Sequence, residues 1–264
     1  MSTEINKADM LAEYINQSNN IVFLGGAGVS TESGIPDFRS ASGLYNQNNQ
    51  NNQDDEDYGV PPEIMLSKTY FFENTVKFYK FYKTKMLYPD AKPNDAHIIL
   101  AKLEEKGKIK AVITQNVDNL HQEAGSKNVV ELHGNAKNNI CLKCRKNFGI
   151  EYIINSDGTP QCDNCGGLIK PDVVLYEEQM NQDTISSAMK HITEADMLIV
   201  GGTSLAVNTA AYYAGRFFSG NRNKNKKSAI INKSATEYDR HFDIVIKAGI
   251  GGVLRGAYRK LYGD

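Results

Sequence analysis

An apolar run that ends abruptly in glycine constrains the fold more than any other feature of this chain. Ile21 to Leu24 contain no polar side chain, and Gly25 and Gly26 follow directly. Such a run predicts a strand buried on both faces, which is typical of parallel sheets. A glycine turn after a buried strand lets the backbone approach a phosphate group closely. This segment therefore predicts the opening of a nucleotide-binding α/β fold.

Further apolar runs alternate with segments of helical spacing. Strands are predicted at Ile109–Thr114, Met197–Val200, Ala229–Ile231 and Ile244–Ile246. Helices are predicted over 7–17, 94–106, 182–192 and 207–218. An aromatic helical stretch carries Phe71, Phe72, Val76, Phe78, Tyr79 and Tyr82, most of which are expected to pack on the core. This alternation favours a parallel sheet with right-handed crossovers.

The composition is that of an ordinary globular enzyme, with 264 residues, 41% hydrophobic and 23% charged. The length allows one large domain, or one domain with a smaller insert. A net charge of −1 gives no electrostatic reason to expect nucleic acid or a membrane as partner. The sequence has no apolar run of roughly 18 residues and no signal-peptide pattern at its polar N-terminus, so we expect a cytoplasmic protein.

Four cysteines form two CxxC pairs. Cys141 and Cys144 are followed, after seventeen residues, by Cys162 and Cys165, a spacing typical of zinc ribbons. Four thiolates complete a tetrahedral zinc shell and leave no open position, which predicts a structural metal. Disulfides are the alternative, and a reducing compartment disfavours them. Segment 141–165 is polar and turn-rich, as expected for a metal-stapled module.

Two polar segments are interpreted as loops. The segment 46–57, NQNNQNNQDDED, has no apolar residue to offset the entropy of ordering. Because it lies close to the glycine turn, we expect it to be disordered or lid-like before ligand binds. The basic segment 221–227, NRNKNKK, is interpreted as a solvated loop.

The glycine turn departs from the dehydrogenase fingerprint, because Thr31 stands where the third glycine would fall. Five segments instead resemble, in order, the signatures of the sirtuin family, and they span nearly the whole chain. They are GAGVSTESGIPDFRS (Gly26–Ser40), TQNVDNLH (Thr114–His121), ELHG (Glu131–Gly134), GTSLAV (Gly202–Val207) and IIN (Ile230–Asn232).

The resemblance implies an NAD-dependent protein-lysine deacylase. In that reaction the acyl-lysine carbonyl attacks C1′ of the NAD ribose and expels nicotinamide, and the final products are free lysine and O-acyl-ADP-ribose. A ribose hydroxyl is a poor nucleophile near neutral pH, so a general base is needed, and an imidazole titrates in the right range. Of the five histidines, His133 in ELHG matches the catalytic position. His121 is the rival, interpreted as a buried hydrogen-bonding residue.

The resemblance also implies a set of NAD-binding residues. Asn116 and Asp118 would bind the nicotinamide carboxamide as further catalytic residues, and Gln115 would reach the ribose. A capped strand-to-helix loop is the alternative interpretation of this polar run. Phe38 would exclude water from C1′, and Arg39 would pair with phosphate or position the loop. The remaining cofactor residues are Ala27, Gly28, Thr31, Asp37, Val117, Thr203, Ser204 and Asn232.

In relatives, an extended peptide adds as a strand between two loop segments. The matching segments are Val173–Tyr176 and Ser204–Val207, and the expected contacts are Val174, Leu175, Tyr176 and Leu205. This chain has Glu177 where the family usually has glycine, and Asn208-Thr209 where a proline is common. These departures leave the peptide preference open.

The acyl pocket permits one prediction about the substrate. Relatives that prefer succinyl-lysine or malonyl-lysine carry a Tyr-x-x-Arg motif in the acyl pocket. This chain has Tyr79 and Tyr82 at the two positions, so the arginine is missing. A carboxylate would lack a charge-assisted partner worth roughly 1.5–3 kcal/mol. We therefore expect acetyl or a longer uncharged acyl group, not succinyl.

The expected architecture is a Rossmann-like parallel sheet built from 1–39, 94–134 and 171–264. A smaller domain joins a helical insert, 40–93, to the zinc ribbon, 135–170. NAD and an acyl-lysine peptide would meet in the cleft between them.

Three other functions stay open at this point. A mono-ADP-ribosyltransferase would use the same cofactor residues but has less need of His133 as a base. A non-catalytic NAD-sensing module would be favoured by loss of Asn116, Asp118 or His133, and all three are present. A zinc-ribbon nucleic-acid binder is the weakest alternative, because basic residues are not concentrated around the cysteines.

Overall fold

The computed structural model describes residues 2–40, 43–45, 60–206, 208–219 and 226–263. The predicted loop 46–57 and most of the basic segment 221–227 lie outside the described residues. Val207, in the fourth signature, also lies outside them.

Nine strands in the described residues form two sheets. They are β1 (Ile21–Gly25), β2 (Ile109–Thr114), β3 (Val129–Glu131), β4 (Gly134–Cys141), β5 (Asn147–Gly149), β6 (Ile169–Val173), β7 (Met197–Gly201), β8 (Lys227–Ile231) and β9 (Ile244–Ile246). The larger sheet has the order β3-β2-β1-β7-β8-β9 and is parallel throughout, as predicted. The chain proceeds outward from β1 towards one edge and from β7 towards the other. The β1–β7 boundary is therefore a topological switch point, where open α/β sheets bind ligands.

Ten α-helices occur within the described ranges. They are α1 (Ser2–Gln17), α2 (Pro62–Met65), α3 (Lys68–Glu73), α4 (Thr75–Lys85), α5 (Asp95–Glu105), α6 (Leu120–Glu123), α7 (Ile150–Ile154), α8 (Gln182–Glu194), α9 (Asn208–Ser219) and α10 (Ile250–Tyr262). The aromatic stretch divides at Asn74 into α3 and α4. Most of its residues are buried in the core as expected, and only two of the six named in the sequence, Phe72 and Val76, are half or more exposed.

Helices cover both faces of the large sheet, and this explains why the sequence of β1 is apolar throughout. Ile21 and Phe23 pack in one core with α1, α5 and α10. Val22 and Leu24 pack in a second core with α8 and α9 on the opposite face. Successive side chains of a strand alternate between faces, so burial on both sides requires an uninterrupted apolar run.

The smaller sheet is antiparallel, with the order β5-β4-β6. A third core joins α2, α3 and α4 to this sheet, and it includes Phe71, Phe78, Phe148 and Ile169. Because β6 ends at Val173, the smaller sheet extends slightly beyond residue 170. Among the described helices, none combines the length and the apolar character needed to cross a lipid bilayer.

Candidate active site

A cleft of about 1000 Å³ opens beside the switch point, at the carboxyl ends of β1, β2 and β7. Turns of the large sheet line one side, and residues of the third core line the other. The cleft brings together most of the predicted site residues: Ala27, Gly28, Thr31, Asp37, Phe38, Arg39, Tyr82, Gln115, Asn116, Val117, Asp118, His133, Val174, Leu175, Tyr176, Thr203, Ser204 and Asn232.

Two predicted substrate contacts do not line the cleft. Tyr79 is fully buried in the third core, where its hydroxyl donates to the carbonyl of Ile169. Leu205 is 1% exposed and packs in the core beneath α9. Leu205 directly follows the cleft residue Ser204 and Tyr79 lies three residues before the cleft residue Tyr82, but tertiary packing directs both side chains inward.

The floor of the cleft is a contact between two glycine turns. The N–H of Gly28 donates to the carbonyl of Gly202 over 2.8 Å. A Cβ on Gly28 would lie 2.8 Å from the Gly202 Cα, and a Cβ on Gly202 would lie 2.3 Å from the Val29 nitrogen. Gly202 also has a φ of +59°, which favours glycine. The turns after β1 and β7 can therefore meet only as bare backbone.

Ser30 connects the two polar side chains of the second signature, and sequence reasoning did not assign it a role. Its hydroxyl donates to Oδ2 of Asp118 over 2.6 Å and accepts from Nδ2 of Asn116 over 3.0 Å. Ser30 is only 1% exposed. The other carboxylate oxygen of Asp118 accepts from the Leu120 N–H, which orders the loop before α6, although the N-cap residue Asn119 makes no side-chain capping bond. Ser30 thus fixes the orientation of Asn116 and Asp118.

His133 is held as a neutral base. Its Nδ1 lies 2.9 Å from the carbonyl oxygen of Gln115, which can only accept, so Nδ1 carries the proton. The lone pair therefore lies on Nε2. Burial lowers the pKa of His133, and the bond to Gln115 opposes this in part. The ring is consequently neutral, with a basic nitrogen available, at neutral pH.

His121 is buried as expected, but the expectation that it forms hydrogen bonds was wrong. Neither ring nitrogen has a hydrogen-bond partner among the described residues. The ring packs instead on His97, with centroids 4.7 Å apart, and on Phe23. Burial holds its pKa well below the ordinary range, so the ring is neutral. His121 does not line the cleft.

The segment after β6 is anchored to α3. Tyr176 exchanges backbone hydrogen bonds with Leu66 and Lys68. Glu177 has a φ of +72°, which explains why glycine would suit this position. Its carboxylate accepts from the N–H of Thr69 over 2.9 Å and from the Thr69 hydroxyl over 2.7 Å. These bonds offset the backbone strain, so the departure from the family pattern preserves an ordered segment.

The four cysteines lie together with the spacing of a metal site. Their Sγ atoms all lie within 4.8 Å of one another, with Cys141 and Cys165 3.5 Å apart and Cys144 and Cys162 3.6 Å apart. Tetrahedral zinc, with Zn–S bonds of about 2.3 Å, places sulfurs about 3.8 Å apart. A disulfide needs about 2.05 Å, so the disulfide alternative was wrong.

The cysteine cluster is suited to a structural ion. Backbone N–H donors, that of Cys144 first, lower the pKa of the Cys141 thiol to about 6, which favours the thiolate that zinc binds. Because none of the four cysteines lines the cleft, the metal would stabilise the small sheet without taking part in chemistry.

Comparison with known proteins agrees with this geometry. The profile of the Sir2 family matches residues 26–209. The chain belongs to the Sir2 family. An NAD-dependent protein deacetylase of Clostridium acetobutylicum is 53% identical over 251 residues, covering 95% of this chain and 97% of that protein. The sirtuin resemblance is thereby confirmed.

Two solved Sir2 structures have the same fold. One contains a p53 peptide and NAD+, with a TM-score of 0.80, 36% identity, and coverage of 95% of this chain and 97% of the other. The second contains a propionylated peptide, with a TM-score of 0.81, 35% identity, and coverage of 97% and 98%. The predicted fold, a parallel α/β sheet with a cysteine module, is confirmed.

Several cleft residues of this Sir2-family chain were not predicted. Gly249, which precedes α10, lines the cleft. Met86 and Tyr88, just beyond α4, also line it. Ser30 lies inside the first signature, so the motif itself was a signal that could have identified it. The loop after α4 carried no comparable signal.

Proposed function

We propose that this protein is an NAD-dependent protein-lysine deacetylase, which converts acetyl-lysine and NAD into free lysine, nicotinamide and O-acetyl-ADP-ribose. The observation that carries this proposal is the neutral, half-buried His133 in the same cleft as the Ser30–Asn116–Asp118 network. Similarity to a protein named as an NAD-dependent protein deacetylase supports the same activity.

The chemistry of the cleft fits NAD as a co-substrate. Its floor is bare backbone at Gly28 and Gly202, as a diphosphate requires. Its volume of about 1000 Å³ lies at the upper end of the usual range for ligand sites, roughly 300–1,000 Å³. NAD supplies an ADP-ribosyl group whose bond to nicotinamide is broken. Residues at the strand ends would bind its phosphates and riboses: Ala27, Gly28, Thr31, Thr203, Ser204 and Asn232.

Polar residues after β2 would bind the reacting end of NAD. Asn116 and Asp118 would donate to and accept from the carboxamide, since Ser30 holds both in fixed orientations. Gln115 lies at the ends of β1 and β7, where its amide donates to the Gly25 carbonyl and the Thr203 hydroxyl. From that position it would reach the ribose.

Aromatic residues would exclude water from the reaction. Phe38 lines the cleft and packs edge-on against Tyr45, with centroids 5.5 Å apart. Arg39 lies over the Tyr45 ring at 5.4 Å, which supports a role in positioning this loop. Asp37 accepts from the Ser40 N–H and orders the same loop.

His133 would act as the general base. Nε2 would take the proton of a ribose hydroxyl while Nδ1–H stays on the Gln115 carbonyl. Burial assists, because it keeps the ring neutral before the reaction. The same bond to Gln115 would then stabilise the protonated ring.

The substrate would be an acyl-lysine peptide, bound as an added strand beside Val174, Leu175 and Tyr176. The anchoring of this segment to α3 supports that role, because a fixed edge lowers the cost of binding. Tyr82 at the cleft supports an uncharged acyl group over succinyl. A similar Sir2 protein has been solved with a propionylated peptide, whose acyl group is also uncharged.

Packing and the state of the cysteines support the proposed domain division and location. The third core joins 40–93 to 135–170, which supports treating them as one small domain against 1–39, 94–134 and 171–264. Reduced cysteines arranged around a metal site support a cytoplasmic location.

The test is an assay of purified protein with an acetyl-lysine peptide, with and without NAD. We expect nicotinamide and deacetylated peptide in equal amounts, and neither product when NAD is omitted. Nicotinamide without deacetylated peptide would instead indicate mono-ADP-ribosyl transfer or NAD hydrolysis, and it would refute the proposal.

A further inference from the structure

An ion pair lies beside the peptide-binding segment and has no role in the chemistry proposed above. Lys170, in β6, places its Nζ 2.9 Å from a carboxylate oxygen of Glu178, and the two side chains are only 14% and 21% exposed. Taking two charges out of water costs free energy, which is recovered only where the geometry is good and further hydrogen bonds satisfy both groups. The partners of those further bonds therefore show what the pair holds in place.

Both charged groups bind the backbone of the segment between them. The Nζ of Lys170 donates to the carbonyl of Val173 over 2.9 Å and to that of Pro171 over 3.2 Å. The Glu178 oxygen that meets Lys170 also accepts from the N–H of Leu175 over 3.0 Å. Hydrogen bonds to charged groups are stronger than neutral ones, and these are made to the main chain. The ion pair thus fixes the path of the chain through residues 171–175.

The same segment contacts the backbone of the proposed catalytic base. The N–H of Val174 donates to the carbonyl of His133 over 2.9 Å. The next residue, Gly134, pairs with Val173 and has a φ of +79°. A Cβ on Gly134 would collide with the carbonyl oxygen of Asp172, so the two chains touch as bare backbone. A shift of the segment would therefore also shift His133.

Glu177 provides an internal comparison on the adjacent residue. Its exposed carboxylate binds Thr69 on α3, at the end of the segment away from His133. The Glu178 carboxylate binds Lys170 and Leu175 instead, at the end that meets His133. Two neighbouring carboxylates thus hold different ends of one segment. Loss of the first should affect peptide binding alone, and loss of the second should affect the chemical step as well.

Resting on the deacetylase function above, we propose that Lys170 and Glu178 are positioning residues that hold the peptide-binding segment and His133 in one fixed geometry. They act through the backbone of 173–175, and the ribose proton still passes to Nε2 of His133. A misplacement of about 1 Å at a reacting group can cost on the order of 100-fold in rate, so a small shift of this segment is sufficient to slow the reaction.

The test measures kcat and KM for an acetyl-lysine peptide at saturating NAD. Glu178→Gln keeps the shape of the side chain and removes its charge, and Lys170→Met removes the other charge. We expect kcat to fall by about tenfold or more in each, with a rise in the peptide KM. Lys170→Arg keeps the charge and the donors, and it should stay within about threefold of wild type.

The double variant tests whether the two residues act as a pair. Because either single change breaks the same interaction, the combination of Lys170→Met with Glu178→Gln should lower kcat little more than the more harmful single change does. Losses that multiply would mean that the two residues act independently, which would overturn the proposal.

Binding of ADP-ribose, measured by calorimetry, separates positioning from a general loss of folded protein. The floor at Gly28 and Gly202 belongs to the turns of the large sheet, so the dissociation constant of ADP-ribose should not change in Glu178→Gln. The stoichiometry of binding gives the concentration of folded enzyme to which kcat is normalised. Glu177→Ala is the matched control, in which the peptide KM rises while kcat changes little.

Three results would count against this role. A kcat of Glu178→Gln within threefold of wild type would overturn it and leave deacetylation intact, and this isosteric variant decides even if Lys170→Met does not fold. Equal losses in kcat and in ADP-ribose affinity would show a collapse of the whole cleft, which would overturn it too. Absence of NAD-dependent turnover in the wild type would instead refute the deacetylase function itself.

Discussion

Ser30→Ala is predicted to impair the use of NAD strongly, although Ser30 itself was assigned no role from the sequence. The change removes the hydroxyl that donates to Asp118 over 2.6 Å and accepts from Asn116 over 3.0 Å. A hydrogen bond to a charged carboxylate contributes about 1.5–3 kcal/mol and a neutral one about 1 kcal/mol. Because the two bonds share one hydroxyl and are not fully additive, we expect a loss of about 2–3 kcal/mol. That loss corresponds to roughly 30- to 150-fold in kcat/KM for NAD.

The assay is initial rates at varied NAD and saturating acetyl-lysine peptide, with Tm measured on the same samples. Since Ser30 acts by positioning Asn116 and Asp118, the peptide KM should change much less than kcat/KM for NAD. Ser33→Ala is the matched control, because the Ser33 hydroxyl accepts from Asn94 and does not contact Asn116 or Asp118. If Ser30→Ala stays within threefold of wild type in kcat/KM for NAD, the positioning argument is refuted.

Three further predictions follow from the metal site, the catalytic base and the substrate segment. Cys162→Ser should lower bound zinc from one ion per chain and reduce Tm; well under one zinc in the freshly purified wild type would contradict the assignment. Because burial lowers the pKa of His133, kcat/KM should fall on the acid side only below about pH 6.5, and a midpoint well above that pH would argue against His133 as the base. Glu177→Ala should raise the peptide KM with little change in kcat, since the Glu177 carboxylate anchors the segment to Thr69. Glu177→Gly also removes the carboxylate but relieves the backbone strain at φ +72°, so comparing the two variants separates these two effects. An unchanged peptide KM in both variants would show that this anchor does not affect substrate binding.

Local patterns were sufficient to predict the main elements of the fold. The apolar run at β1 required burial on both faces, and the CxxC spacing required four sulfurs to converge. Both the apolar run and the CxxC spacing are local sequence patterns, and each one specifies the environment that its side chains need. The strand β3 and the helix α10 were not predicted. In α10, Ile250, Val253, Leu254 and Ala257 show helical spacing, so a usable signal was present.

Contacts between distant segments limited what the sequence could reveal about the site. The close approach of Gly28 to Gly202 requires β1 and β7 to be neighbouring strands, and no local sequence pattern predicts that pairing. Tyr79 and Tyr82 are the same residue type on one helix, and only packing against β6 decides which of them lines the cleft. The sequence likewise did not reveal that Thr69 on α3 binds the carboxylate of Glu177 and so stabilises its left-handed conformation.

The central claim is that His133 removes a proton from the ribose in an NAD-dependent deacetylation. The direct measurement is the steady-state rate at which purified enzyme releases deacetylated peptide from an acetyl-lysine peptide and NAD. The wild type is compared with His133→Ala and His191→Ala. His191 lies outside the cleft, so its variant should retain wild-type activity. We predict that His133→Ala loses at least about 100-fold in kcat, the lower end of what a general base contributes. A His133→Ala enzyme that is folded and deacetylates within tenfold of wild type would contradict the mechanism.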